Sequence, residues 1–418
     1  MNELYGCIIV DNLLLKGRRV FCTVCLTLLS WWSVHAQPQD SLDRNKSIIH
    51  RFEADFSPGF ILHTNPYLRG GNSKYRTMNH DMGYKLSYSF EKTISDTVAL
   101  AYPKSYQGIG MVRHQYNSML GNPLSAYIFQ GAPIAELGRY VSLNYEWNLG
   151  LAFGWNHYDQ KTNPQNRVIG SKVTAYINAD LYVSIRLSSH LDMNVGGGFS
   201  HFSNGNTTIP NNGLNTLNAR LGLAYYLNRL PREMEPMAHH SVNNSPMSHP
   251  YCYDLMLFGA WRRRGIDVYG GSYALPNKYL VTGFNATALR RLTSHFQVGI
   301  SLDGVLDRSA NVDVDISQIP PPEIPLAPSD IPTIQPSLAK QVALGMSSRA
   351  EWVMPYFTID LGMGLFVLNA KRDFNCWYQV LALKVALPRQ LFLHVGYSLH
   401  DFKTPNHLML GLGYRFGG

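Results

Sequence analysis

The chain has 418 residues and 36 Lys and Arg against 28 Asp and Glu, a formal net charge of +8. It is too long, and with five cysteines too cysteine-poor, to be a small disulfide scaffold. The positive balance makes no case for nucleic acid, because no Lys/Arg-rich run or nucleic-acid-binding signature accompanies it.

Lys16, Arg18 and Arg19 precede a largely apolar stretch from Val20 to Trp32, and Val34-His35-Ala36 follows. That order of charge, apolar run and small-residue site predicts a secretory signal peptide over 1–36, cleaved after Ala36. The apolar run is too short for a membrane-spanning helix, which needs about twenty residues. Removing it leaves 33 basic against 26 acidic residues, a net +7, and the two cysteines Cys252 and Cys376. These could form one disulfide in an oxidising compartment. A basic surface of this kind suits a phosphorylated, acidic glycolipid as partner.

Beyond the signal no apolar run is long enough for a helical span, so any crossing of a membrane must use strands. In Val141–Trp155 the odd positions are Val, Leu, Tyr, Trp, Leu, Leu, Phe and Trp, with Ser142, Asn144, Glu146 and Asn148 between them. Val173–Leu187, Leu217–Leu227 and Leu408–Phe416 alternate in the same way. Strands of up to about fifteen residues exceed the ~5–6 typical of soluble sheets. Further candidates lie near 51–62, 80–92, 107–117, 124–131, 191–203, 252–263, 279–288, 294–304, 342–353, 355–367, 376–387 and 390–400, those before 132 being weak in pattern. Tight links at 188–190, 289–293, 353–355 and 387–390 alternate with long polar loops at 156–171, 204–212, 264–278, 305–340 and 368–375. Short periplasmic turns and long outer loops are the asymmetry of a bacterial outer-membrane barrel. The expectation is an all-β fold: one transmembrane antiparallel β-barrel over 37–418, with an even number of strands, about fourteen within a range of 12–16. Pro-rich 318–336 reads as an outer loop. The link 229–251 fits poorly, being long where a periplasmic turn is expected. Trp147 and Trp155 read as members of an aromatic girdle.

Chemistry concentrates in Gly196-Gly-Gly-Phe-Ser-His-Phe-Ser-Asn-Gly205 and Pro210-Asn-Asn-Gly213. In an extended strand His201 and Ser203 share a face, with Cα atoms about 6.6 Å apart. An imidazole placed to take the hydroxyl proton turns serine into a nucleophile. Both residues fall on the odd, apolar positions, the lipid side of a barrel, at the outer end of an outward-running strand. A polar pair there is costly unless it is functional or interfacial. Asn215 occupies the same parity on the next strand and is placed to orient His201. Asn204, Gly205 and Asn211, from the intervening loop, are placed to donate to an oxyanion. His239, His240 and His249 lie among Pro, Met, Asn and Ser and read as a flexible connection, so no metal site is expected.

His201-Phe-Ser203-Asn204-Gly205 with Asn211-Asn212-Gly213 resembles the His-x-Ser-Asn and Asn-x-Gly pattern of the lipid A 3-O-deacylases, also called acyloxyacyl hydrolases. Gly59–Asn65, Tyr102-Pro103, Gly108–Gly110, Asn163–Asn166, Ile169–Ser171 and Gly411–Phe416 are similar to the same group, most closely over about 50–230. The resemblance implies a serine-type carboxylic ester hydrolase of the bacterial outer membrane that removes an ester-linked 3-hydroxyacyl chain from lipid A. It implies Ser203 as nucleophile, His201 as base, Asn204 and Asn211 at the oxyanion, and no cofactor. Well-studied members carry Glu where Asn215 aligns, which takes away a charge behind the imidazole. The alternatives are a porin-like or structural barrel, or an outer-membrane phospholipase.

Overall fold

The computed structural model describes residues 48–417, apart from 93–103, 230–249, 269–270, 276, 320–330, 369–371, 375–376 and 401–403. The expected signal peptide, the connection with His239, His240 and His249, most of Pro-rich 318–336 and Cys376 lie outside the described residues.

Eight long strands come first: β1 (Ile48–Ile61), β2 (His80–Lys92), β3 (Tyr106–Gln115), β4 (Gly121–Glu136), β5 (Val141–Trp155), β6 (Val173–Arg186), β7 (Leu191–Ser203) and β8 (Leu214–Leu227). They pair in chain order, and β8 returns to β1 with Leu221 opposite Phe56, closing a barrel. After β9 (Tyr251–Arg262) a small hairpin, β10 (Gly265–Val268) and β11 (Gly271–Ala274), stands in a loop. Then follow β12 (Tyr279–Arg291) and β13 (Phe296–Asp307), and the short pair β14 (Asp313–Val314) and β15 (Thr333–Ile334). The last strands are β16 (Val342–Val353), β17 (Phe357–Leu368), β18 (Trp377–Ala386), β19 (Leu391–His400) and β20 (Thr404–Phe416). Here β20 returns to β9, with Leu412 opposite Leu257, and closes a second eight-stranded barrel.

The candidate strands are therefore strands, but the expected single barrel of about fourteen is two barrels of eight. Pairing of successive strands is local, and each set of eight meets its own first strand before the next set begins. The misfitting link between β8 and β9 is the tether between barrels, which a single wall would not need. Residues 313–314 and 333–334 pair at the two ends of the Pro-rich segment, and Ile331 is buried with Leu275, Tyr279 and Val312.

Inside and outside are reversed relative to a soluble sandwich. On β1, Arg51, Glu53 and Asp55 are buried while Phe52 and Phe56 are exposed, and on β9 Leu257 is 65% exposed while Asp254 is buried. Polar groups fill the lumens and apolar side chains form the outer wall, as hydrocarbon demands. No helix among the described residues is long and apolar enough to cross a membrane.

Eight strands leave an interior that side chains can fill. In the first barrel Arg220 reaches Glu53 (3.0 Å), Asp55 (2.9 Å), Glu146 (3.2 Å) and Asp180 (3.4 Å), and Lys85 adds a bond to Asp180 at 2.9 Å. The glycines Gly196 and Gly198 serve this packing. A β-carbon at either would collide with Tyr182 or with the Asp180 carboxylate. In the second barrel Arg349 pairs with Asp303 (2.9 Å) and Asp360 (3.2 Å), and Lys384 and Arg415 share Asp254 and Glu351.

The barrels touch. Ile128, Tyr145, Trp147 and Leu149 of the first pack against Met354, Phe357 and Leu383 of the second. Trp147 stacks edge-on against Phe357 at 4.7 Å, and its Nε1 donates to Gln130 Oε1 at 2.8 Å. So Trp147 belongs to a barrel–barrel seam, not to a girdle facing lipid. Trp155 departs from that expectation too. Gly154 has φ +89, which breaks the alternation and turns Trp155 into the lumen, where its Nε1 donates to Thr174 Oγ1 at 3.0 Å. Cys252 is a buried free thiol that donates to Gln297 Oε1, and its candidate partner Cys376 lies outside the described residues.

Candidate active site

Strand β7 presents two faces. Asp192, Asn194, Ser200 and Phe202 are buried toward the lumen, while Val195 and Phe199 are exposed on the outer side with the half-buried His201 and Ser203. Phe202, between the two candidate catalytic residues, fixes their orientation. It wedges among His114, Tyr116, Trp155 and Tyr176, at centroid distances of 5.1, 6.4, 5.1 and 5.2 Å. This aromatic anchor was not singled out from the sequence, although its even parity inside an odd-apolar strand was the available signal.

His201 stands opposite Asn215 in the β7–β8 register, and its Nδ1 lies 2.6 Å from Asn215 Oδ1. An amide oxygen only accepts, so Nδ1 carries the proton and Nε2 keeps its lone pair. Ser203 Oγ accepts from Asn211 Nδ2 at 2.9 Å and from the Gly205 amide at 3.2 Å. Both bonds use Oγ as acceptor, leaving its proton to be given away. No hydrogen bond joins His201 and Ser203 at rest, a looseness common in substrate-free sites. Asn204 is committed elsewhere. Its amide N–H donates to Asn211 Oδ1 at 2.9 Å and its Nδ2 to Thr208 O at 2.8 Å. It therefore positions Asn211 and brings no side-chain donor to Ser203.

The 156–172 loop holds this arrangement. Asn212 N donates to Arg167 O and Gly213 N to Val168 O, and Asn166 Oδ1 accepts from the amides of Val168 and Ile169. Gly213 has φ +72, and a β-carbon there would stand 3.1 Å from His201 Cε1. Gly213→Ala is thus expected to cost about 1–2 kcal/mol of backbone strain. It should also push the imidazole aside and lower kcat roughly 10- to 100-fold. Purified protein that keeps its folded electrophoretic mobility while losing rate is the result to look for.

Two family models match the chain. "Lipid A 3-O-deacylase" covers residues 74–224 and "Acyloxyacyl hydrolase, C-terminal domain" covers 251–418. The chain belongs to the lipid A 3-O-deacylase family. The first match ends within β8 and the second begins at β9, so the two models divide the chain as the two barrels do. This deacylase-family chain is an outer-membrane protein, and lipid A deacylation is its general activity. No curated protein matches it.

Among solved structures it is similar to a mutant porin of Rhodopseudomonas blastica (7% identity, 88% of this chain and 100% of that one, TM-score 0.17). It is also similar to the outer-membrane protein Omp33 of Acinetobacter baumannii (8%, 88% and 99%, 0.16). A third is the alcaligin receptor FauA of Bordetella pertussis (12%, 90% and 77%, 0.23). Similarity this low adds nothing to the strand pairing already described.

Only the first barrel carries His-x-Ser. The seventh strand of the second, β19, reads Gly396-Tyr397-Ser398-Leu399, against Gly198-Phe199-Ser200-His201 on β7. Leucine stands where the first barrel has its imidazole.

Proposed function

We propose that this deacylase-family protein is a serine esterase that removes an ester-linked 3-hydroxyacyl chain from lipid A in the outer leaflet, with the reacting groups all on the first barrel. Ser203 Oγ attacks the ester carbonyl while His201 Nε2 takes its proton. The carbonyl oxygen becomes an oxyanion beside Asn211 Nδ2 and the Gly205 amide. Collapse releases the sugar hydroxyl, which receives the proton from His201, and water then hydrolyses the acyl-serine by the same route in reverse.

The observation that carries this reading is the set of groups around Ser203: two donors on its oxygen and, two residues away on the same outward face, an imidazole whose Nδ1 is already bonded. Val195 and Phe199 on that face are exposed, so an acyl chain can lie along the strand without leaving hydrocarbon. The pair is offset from the lumens, which are filled with ion pairs, and a channel reading has no such support.

Lipid A from cells producing the wild type should lack one hydroxyacyl chain by mass spectrometry, and lipid A from cells producing Ser203→Ala should be intact. Equal masses from both, with both proteins folded in the membrane, would refute the assignment.

A further inference from the structure

The second barrel lacks the His-x-Ser pair, yet it touches the loop that holds Ser203 at two places. The amide of Arg263, just past β9, donates to Asn206 O at 3.0 Å. A β-carbon built at Gly205 would stand 2.7 Å from the hydroxyl of Tyr397 on β19. Asn206 and Gly205 are themselves linked to the nucleophile. Asn206 Oδ1 accepts from Asn211 Nδ2, the donor on Ser203 Oγ, and Gly205 N is the second donor.

Both contacts bring polar groups without partners. Tyr397 Oη and Arg263 Nε are buried and make no hydrogen bond among the described residues. The neighbours of Arg263 are neutralised. Arg262 pairs with Asp307 at 3.2 Å and with Asn406, and Arg264 with Asp373 and with Ser309 O at 2.8 Å. Of three consecutive arginines, the middle one alone pairs with no carboxylate among the described residues, and it is the one whose backbone joins the loop after Ser203. A buried hydroxyl and a buried guanidinium nitrogen left open persist where something else completes them. Arginine's planar fork suits a phosphate, and a phenol hydroxyl suits a sugar hydroxyl or ester oxygen.

We propose that Arg263 and Tyr397 of the second barrel form a subsite for the phosphorylated sugar headgroup of the substrate, so that the active site is composite, with chemistry from one barrel and headgroup recognition from the other. This rests on the lipid A reading above, and binding separates the two. The test uses full-length Ser203→Ala protein in dodecyl maltoside, with native mass spectrometry to measure binding of bisphosphorylated lipid A, the same lipid stripped of phosphate, and phosphatidic acid.

Adding Arg263→Gln should weaken bisphosphorylated lipid A about tenfold and leave the dephosphorylated lipid unchanged. Adding Tyr397→Phe should weaken both glycolipids several-fold. Unchanged affinity for bisphosphorylated lipid A in Arg263→Gln overturns the subsite. The same Arg263 dependence for phosphatidic acid overturns its assignment to a glycolipid. If the wild type binds in this way yet cleaves nothing, the subsite stands and the esterase reading falls.

Discussion

His201→Ala is expected to lower kcat for lipid A deacylation by about 10⁴-fold or more, and the His201→Ala/Ser203→Ala double variant is expected to be no worse than either single one. Residues that act as one unit are non-additive: once the base is gone the hydroxyl is a poor nucleophile, and once the hydroxyl is gone there is nothing to deprotonate. The residual rate should come from Asn211 Nδ2 and the Gly205 amide, which do not depend on His201. A double variant that falls by the product of the single effects would mean that the two residues act separately and that Ser203 has another base.

Asn215 refines the same expectation. Its Oδ1 holds the imidazole at 2.6 Å but brings no negative charge to the imidazolium that forms in the attack. Asn215→Asp keeps the acceptor and adds the charge, so kcat should rise, whereas Asn215→Leu should lose about 10²- to 10⁴-fold by freeing the tautomer. Initial rates on purified lipid A in detergent, for the wild type and these five variants at equal folded concentration, decide both points.

Strand positions were legible because the rule behind them is local. A hydrocarbon solvent accepts apolar side chains on alternate positions, and that constraint is written residue by residue along Val141–Trp155 and Leu217–Leu227. Closure was not legible in the same way. Whether β8 pairs with β1 or with β9 depends on strands far apart in sequence, and the only trace of the answer was the overlong link after β8. The two tryptophans on β5 departed from expectation for different reasons. A single left-handed glycine reversed Trp155, and a neighbouring barrel covered Trp147, neither of which alternation can report.

The site followed the same division. His201, Ser203 and Asn215 share a face by parity, and the β7–β8 register brings His201 and Asn215 together. Asn204 and Asn211 differ in what they bond because the loop between β7 and β8 folds back on itself, with Asn204 serving Asn211. Arg263 and Tyr397 lie well beyond β7 in the chain, and nothing in their own segments points to the first barrel. Their role becomes visible only once the barrels stand together.

Arg220→Ala is expected to destabilise the first barrel strongly while leaving every residue of the candidate site intact in sequence. Arg220 is about 1% exposed and meets four carboxylates, those of Glu53, Asp55, Glu146 and Asp180. Arg51 and Lys85 remain, but Arg51 bonds Glu53 and sits 3.9 Å from Glu146, and Lys85 reaches Asp180. Asp55 then has no cation within bonding distance among the described residues, and a buried charge stripped of its partner costs about 3–5 kcal/mol. For a domain of this size that corresponds to a fall in Tm of roughly 10 °C. Arg220→Lys should recover only part of the loss, because one ammonium cannot fork among four acceptors. Heat-dependent electrophoretic mobility, which separates a closed barrel from an unfolded chain, reads the effect directly. The corresponding change in the second barrel, Arg349→Ala, strips Asp303 of its paired cation and leaves Asp360 only the longer contact to Lys384 at 3.5 Å. If the two barrels fold as separate units, its transition should leave the ion pairs around Arg220, and the temperature at which they break, unmoved. A single shared transition in both variants would show that the seam formed by Trp147 and Phe357 couples the barrels into one cooperative unit.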